Sequence, residues 1–159
     1  MNKKDVYYDV VLEPTVEGYK AAREKLGSQE YVSELLDYGG QSIVSLIETG
    51  QIYLCPRAYT LLMLLTNEHP IYKLKPKSNA KSVMDLVVNL DEEKRNASYH
   101  IVNAGIAAKT DVHGIAEVIH CSANTLIGYE NGTGKPSKRL LAMLLLAFKM
   151  HPYFSLVEK

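Results

Sequence analysis

The sequence has no tryptophan, only two cysteines among 159 residues, and no formal net charge. Each shortage excludes something. Two isolated thiols, Cys55 and Cys121, give neither a disulfide framework nor a metal-ligand pattern, so reduced surroundings are expected. No apolar run reaches the roughly 18 residues that a membrane helix needs, and the longest, Leu140 to Phe148, reads as a buried helix. Met1 to Asp5 lead into Val6-Tyr7-Tyr8-Asp9-Val10, which resembles no export leader, so a cytoplasmic location is the simplest expectation. Zero net charge weighs against a nucleic-acid binder, which usually carries basic excess to displace phosphate counterions. The charge is unevenly spread, however. Residues 1–72 hold six Lys/Arg against ten Asp/Glu, residues 73–98 six against four, and residues 99–159 six against four. An acidic first half therefore precedes a basic centre and end.

Catalytic groupings are also missing. Asn131-Gly-Thr-Gly-Lys-Pro-Ser137 looks like a phosphate-binding loop, but Pro136 breaks the required spacing and no strand precedes it. His69, His100, His113, His120 and His151 are scattered, and His69 and His151 sit before prolines at helix ends, a structural position. His113 and His120 are seven apart, with only Cys121 nearby, which is too little for a metal site. No nucleophile, base and orienting group stand together, so no enzyme, cofactor or metal is expected.

What the sequence does have is a repeat at an offset of 82 residues. Glu48, Gly50, Arg57, Leu62, Leu64, His69, Pro70 and Leu74 fall on Glu130, Gly132, Arg139, Leu144, Leu146, His151, Pro152 and Leu156. Those are eight identities over 27 positions, with matching helix punctuation around them. In the first copy Thr15 caps a helix from Val16 to about Leu26, ended by Gly27. Ser28 caps a second, stopped by Gly39-Gly40. A short helix runs from Gln41 to Glu48, with Ile43, Val44 and Ile47 facing inwards. Pro56 opens a very apolar helix that ends at Pro70. In the second copy a helix precedes Lys109, and Thr110 or Asp111 caps the next. Ser122 caps Ala123 to Glu130, and Pro136 opens the last helix. The middle pair in each copy, joined by a turn of three or four residues, carries the helix-turn-helix signature.

With those residues in view, Ser122-Ala-Asn-Thr-Leu-Ile-Gly-Tyr-Glu-Asn-Gly132 followed by Lys135-Pro136-Ser137 resembles the XRE family of lambda-repressor-like regulators. Ala116 stands fourteen residues before Glu130, where that family places a small residue. The first copy is similar at Leu26-Gly27-Ser28-Gln29-Glu30 and Ile47-Glu48-Thr49-Gly50. Together the likeness spans about residues 16–72 and 92–155. Two departures stand out. The first copy has one residue more between Ser28 and Glu48, and Asp111-Val112-His113-Gly114 replaces the family's Ser-Gln-Glu opening in the second.

The resemblance implies a reading helix in the major groove. Its candidates for base edges are Ala123, Asn124, Thr125 and Ile127 in the second copy, and Gln41, Ser42 and Ser45 in the first. Asn and Gln suit adenine, and Ala or a Thr methyl suits thymine, so A·T-leaning sites are expected. Phosphate candidates are Ser28, Gln29, Gln51, Tyr53 and Arg57, then Asn131, Thr133, Lys135, Ser137, Lys138 and Arg139. Glu48 and Glu130 read as structural.

The predicted architecture is all-α. An arm covers 1–15, a first helix-turn-helix unit 16–72, a basic linker and short helix 73–91, and a second unit 92–159. Val6 to Leu12 is rich in strand formers, and either pairs with another chain or packs on the first unit. Ser82 to Leu90 reads as an amphipathic helix whose face, Val83, Leu86, Val87 and Leu90, either joins the units or makes a dimer. The expected function is a double-stranded DNA-binding regulator, a repressor of the phage or mobile-element kind, acting as a homodimer. The other reading is an antitoxin or inhibitor that binds a protein through its acidic first unit.

Overall fold

The computed structural model describes residues 3–159, so Met1 and Asn2 of the expected arm lie outside it. The chain is mainly helical, as the periodicities predict, with one two-stranded sheet. Its first half runs α1 (Val16–Leu26), α2 (Gln29–Leu35), α3 (Gln41–Glu48), α4 (Pro56–Leu65) and β1 (Tyr72–Pro76). A short helix α5 (Asp91–Arg95) leads into the second half: α6 (Ala97–Ala108), α7 (Val112–Ile119), α8 (Ala123–Glu130), α9 (Lys138–Ala147) and β2 (Phe154–Glu158). Adding 82 to the bounds of α3, α4 and β1 gives those of α8, α9 and β2.

Local chemistry explains the match. Thr15 accepts from the Gly18 N–H at the start of α1, and Ser28 from the Tyr31 N–H at the start of α2. Asp111 takes the Gly114 and His113 N–H groups at α7, and Ser122 that of Asn124 at α8. Gly50 and Gly132, 82 apart, close α3 and α8 with φ of 76° and 78°, a left-handed turn that favours glycine. The extra residue of the first copy falls before α3: α2 and its turn, Gln29 to Gly40, take twelve residues, whereas α7 and its turn, Val112 to Ser122, take eleven.

Each half ends on a histidine used in the same way. His69 Nε2 meets the Val10 carbonyl at 2.7 Å, while its Nδ1 accepts from the Ile71 and Tyr72 N–H groups, both at 3.1 Å. His151 Nε2 meets the Leu86 carbonyl at 2.9 Å, and its Nδ1 accepts from Tyr153 and Phe154, again at 3.1 Å. Both rings are buried. They turn the chain from the last helix into the strand.

The halves meet about a local twofold axis. β1 and β2 pair antiparallel, with Leu74 opposite Leu156, its own repeat equivalent, and Tyr72 opposite Glu158. α4 packs against α9, likewise its equivalent. Two arginines close the junction reciprocally. Arg57 Nη1 donates to the carbonyls of Ile119 (3.3 Å) and His120 (2.5 Å) at the end of α7. Arg139 Nη1 donates to those of Leu36 (2.8 Å) and Asp37 (2.7 Å) at the end of α2. A cation at a helix C-terminus is favoured both by the free carbonyls and by the helix dipole. Apolar burial runs through both halves as one core, in which every residue from Leu140 to Ala147 is buried.

Three expectations need correction. Val6 to Leu12 is no strand. It is an irregular arm whose Val6, Val10 and Val11 enter the core. The Tyr7 N–H donates to Ala147 and the Leu12 N–H to Thr60 Oγ1, so the arm packs on both halves. Residues 73–81 are no free linker, because Tyr72-Lys-Leu-Lys-Pro76 alternates as a strand and pairs with β2. Ser82 to Leu90 forms only a single-turn 3-10 helix over Val83–Asp85, followed by turns. Leu86, Val87 and Leu90 are fully buried, which commits them to this chain's own core. Among the described residues no helix is long and apolar enough to cross a membrane.

Candidate nucleic-acid interface

α8 is held by one buried side chain, Leu126, and by its Ser122 cap. Asn124 and Ile127 are exposed, while Ala123 and Thr125 are half-buried. The side chains expected to face base edges therefore line the outer side of one short, capped helix. In α3, Val44 and Ile47 are buried, Gln41 and Ser42 exposed, and Ser45 half-buried. Gln41 stands in a different field. It lines a cleft of about 710 Å³ with Glu30, Glu34, Asp37, Met84 and Val88. Three carboxylates beside the start of α3 oppose a phosphate backbone there.

The phosphate candidates divide into free and committed side chains. Asn131, Thr133 and Lys135 are exposed on the loop after α8, where the Thr133 hydroxyl also donates to the Gly128 carbonyl. Lys109, exposed at the end of α6, is a further free cation in the same half. Gln51 and Tyr53 are exposed after α3, with Gln51 Nε2 donating to Thr49 Oγ1. Ser28 and Ser137 spend their hydroxyls on capping, Ser137 accepting from the Leu140 N–H.

Four candidates face inwards instead. Arg57 and Arg139 hold the two halves together, and the Arg139 guanidinium lies 4.2 Å from the Tyr38 ring centroid. Burial pushes the Tyr38 phenol up, with Arg139 working against that rise. Lys138, only 12% exposed, donates to the Val88 carbonyl and pairs with Asp91 at 2.6 Å. Gln29 Nε2 donates to Glu48 Oε2 at 2.6 Å. Each had the charge or polarity a phosphate contact needs. What the sequence concealed was that backbone carbonyls or carboxylates distant in sequence already satisfy it.

Glu48 has the structural role expected of it. Its side chain is 4% exposed, and Oε1 accepts from Arg23 Nε at 3.0 Å and Nη2 at 2.7 Å. Glu130, its equivalent, has no such partner among the described residues: Gly105 stands where Arg23 would be. The two halves are thus alike in backbone and unlike in polar interior.

Compared with known proteins, the chain matches no family model, no curated protein and no solved structure. The XRE likeness therefore rests on the residues quoted for it. His113 and His120, which share a spacing in sequence, stand at opposite ends of α7. Cys55 and Cys121 are both free and half-buried.

Proposed function

We propose that this chain is a sequence-specific double-stranded DNA-binding regulator, built from two tandem helix-turn-helix units of the lambda-repressor-like kind. The second unit would do the reading. The observation that carries this is the outer face of α8: Asn124 exposed beside the helix N-terminus, after a three-residue turn from α7, with Asn131, Thr133 and Lys135 exposed on the loop that follows. Asn124 supplies a bidentate partner for adenine, and the loop side chains supply phosphate contacts. A regulator, rather than an enzyme, is what this arrangement suits.

The acidic surroundings of α3 favour a different task for the first unit. Glu30, Glu34 and Asp37 around a cleft suit a basic protein surface, as in an antitoxin or inhibitor. The two tasks are compatible within one chain.

Selection from a random duplex library at near-physiological salt tests the reading. A single short A·T-leaning motif is expected, because the three carboxylates beside the start of α3 oppose DNA reading by the first unit. Asn124→Ala should then cost roughly 1–3 kcal/mol at the preferred site and little elsewhere. Equal loss on every sequence would remove its base-reading role. No enrichment even at low salt would leave the protein-binding reading in its place.

A further inference from the structure

The two halves part company at one carboxylate. In the first half Glu48, at the end of α3, accepts from two nitrogens of Arg23 and from Gln29 Nε2, so that a guanidinium ties α3 to α1. Arg23 Nη1 also donates to the Gly27 carbonyl at 3.3 Å. In the second half Gly105 stands at the position of Arg23, and Val112 opens α7 as Gln29 opens α2. Gly105, Val112 and Glu130 line a cleft of about 280 Å³, together with Val102, Ile106 and Thr110. The cleft thus lies where the first half places a guanidinium and an amide, with the equivalent carboxylate in its wall.

Glu130 is half-buried, and its side chain makes no hydrogen bond or ion pair with any described residue. Position 105 cannot supply the partner, because a Cβ there would lie 2.9 Å from the Thr110 carbonyl oxygen. That oxygen accepts no hydrogen bond from a described backbone N–H, which puts a second acceptor in the cleft wall. Val102 and Ile106, 44% and 69% exposed, supply the apolar side of the lining. Asp111, exposed, adds negative charge to it.

We propose that this cleft binds an alkylguanidinium cation, whose head group pairs with Glu130 and whose alkyl chain lies on Val102 and Ile106. A planar guanidinium donates two parallel N–H groups to one carboxylate and is weakly hydrated, so a half-buried carboxylate takes it up more readily than an ammonium. Its alkyl stem covers apolar surface that is otherwise in water. Bound there, the cation joins α8 to α6 as Arg23 joins α3 to α1. Free arginine derivatives and an arginine side chain of a partner protein share this chemistry. The site does not rest on DNA reading, and its binding is measured without DNA.

Amide NMR spectra of the full chain, titrated with ethylguanidinium chloride at constant ionic strength, are the test. Saturable shifts centred on Gly105, Thr110, Val112 and Glu130 are expected, with a dissociation constant on the order of 1 mM. Ethylammonium should bind about tenfold more weakly. Glu130→Gln keeps the shape of the side chain and should weaken ethylguanidinium binding by about tenfold, with the amide spectrum away from the cleft unchanged. No saturable shift, an equal response to ethylammonium, or undiminished binding to Glu130→Gln overturns the proposal. Agmatine and a capped Ala-Arg-Ala tripeptide separate the two sources. Tighter binding of agmatine supports a small-molecule ligand at this site, and tighter binding of the tripeptide supports an arginine of a partner protein.

Discussion

Lowering the pH should unfold this protein through its two repeat-end histidines before its carboxylates titrate. His151 is 1% exposed and neutral in the fold. Its Nδ1 accepts two backbone N–H groups while Nε2 donates to Leu86, so a second ring proton would have to displace both donors. Burial, the largest cause, pushes its pKa down to about 4 from the usual 6.5. The unfolded chain therefore takes up this proton first. Stability from His151 is complete above about pH 6.5 and is lost as pH falls from there through about 4. A difference of about 2.5 pH units at 1.36 kcal/mol each gives roughly 3 kcal/mol for this one ring. His69, held the same way, and His100 are both lowered chiefly by burial and add to the loss with the same sign. Asp85, Asp91 and Asp111 are held below the usual carboxylate range and act only under pH 4. Urea unfolding between pH 7.5 and 4.5 should show the midpoint falling steadily below about pH 6.5. His151→Gln should lower stability at pH 7 and flatten that slope. A flat wild-type profile over this window, or an NMR titration of His151 above pH 6, would refute the argument.

Arg139→Met removes two hydrogen bonds to carbonyls at the end of α2, and should cost about 2 kcal/mol in urea unfolding while leaving the salt dependence of any DNA binding unchanged. A smaller salt slope with unaltered stability would return Arg139 to the phosphate backbone. Glu48→Ala strands the Arg23 guanidinium, itself only 16% exposed, and should cost about 3–5 kcal/mol by thermal or urea unfolding. The paired change Arg23→Met with Glu48→Leu should recover most of that, and additive losses would deny the coupling.

Helix existence was legible because capping and punctuation are local. Thr15, Ser28 and Ser122 announce their helices, Gly50 and Gly132 end theirs, and the repeat aligns both sets. Partners distant in sequence were not legible. β1 has the sequence of a basic linker, because its lysines outweigh its alternation, and its pairing partner lies 82 residues on. The arm has the composition of a strand, but its backbone hydrogen bonds go to Ala147 and Thr60 rather than to a ladder. At the site, exposure of Asn124 followed from helical periodicity. The commitment of Arg57, Lys138 and Arg139 did not, since it depends on carbonyls 50 to 103 residues away.

The pairing of Leu74 with Leu156 places two equivalent units face to face within one polypeptide. In an assembly of identical subunits, every substitution appears twice and both sides of the interface change together. Here a substitution alters one side alone, and the tether keeps its counterpart at a high effective concentration whatever happens to the intrinsic affinity. The two halves already differ in this way: Gly105 stands at the position of Arg23, and Ala123 at that of Gln41. One half is acidic and the other carries the exposed Lys109 and Lys135, so that a single chain presents two unlike faces on one symmetric frame.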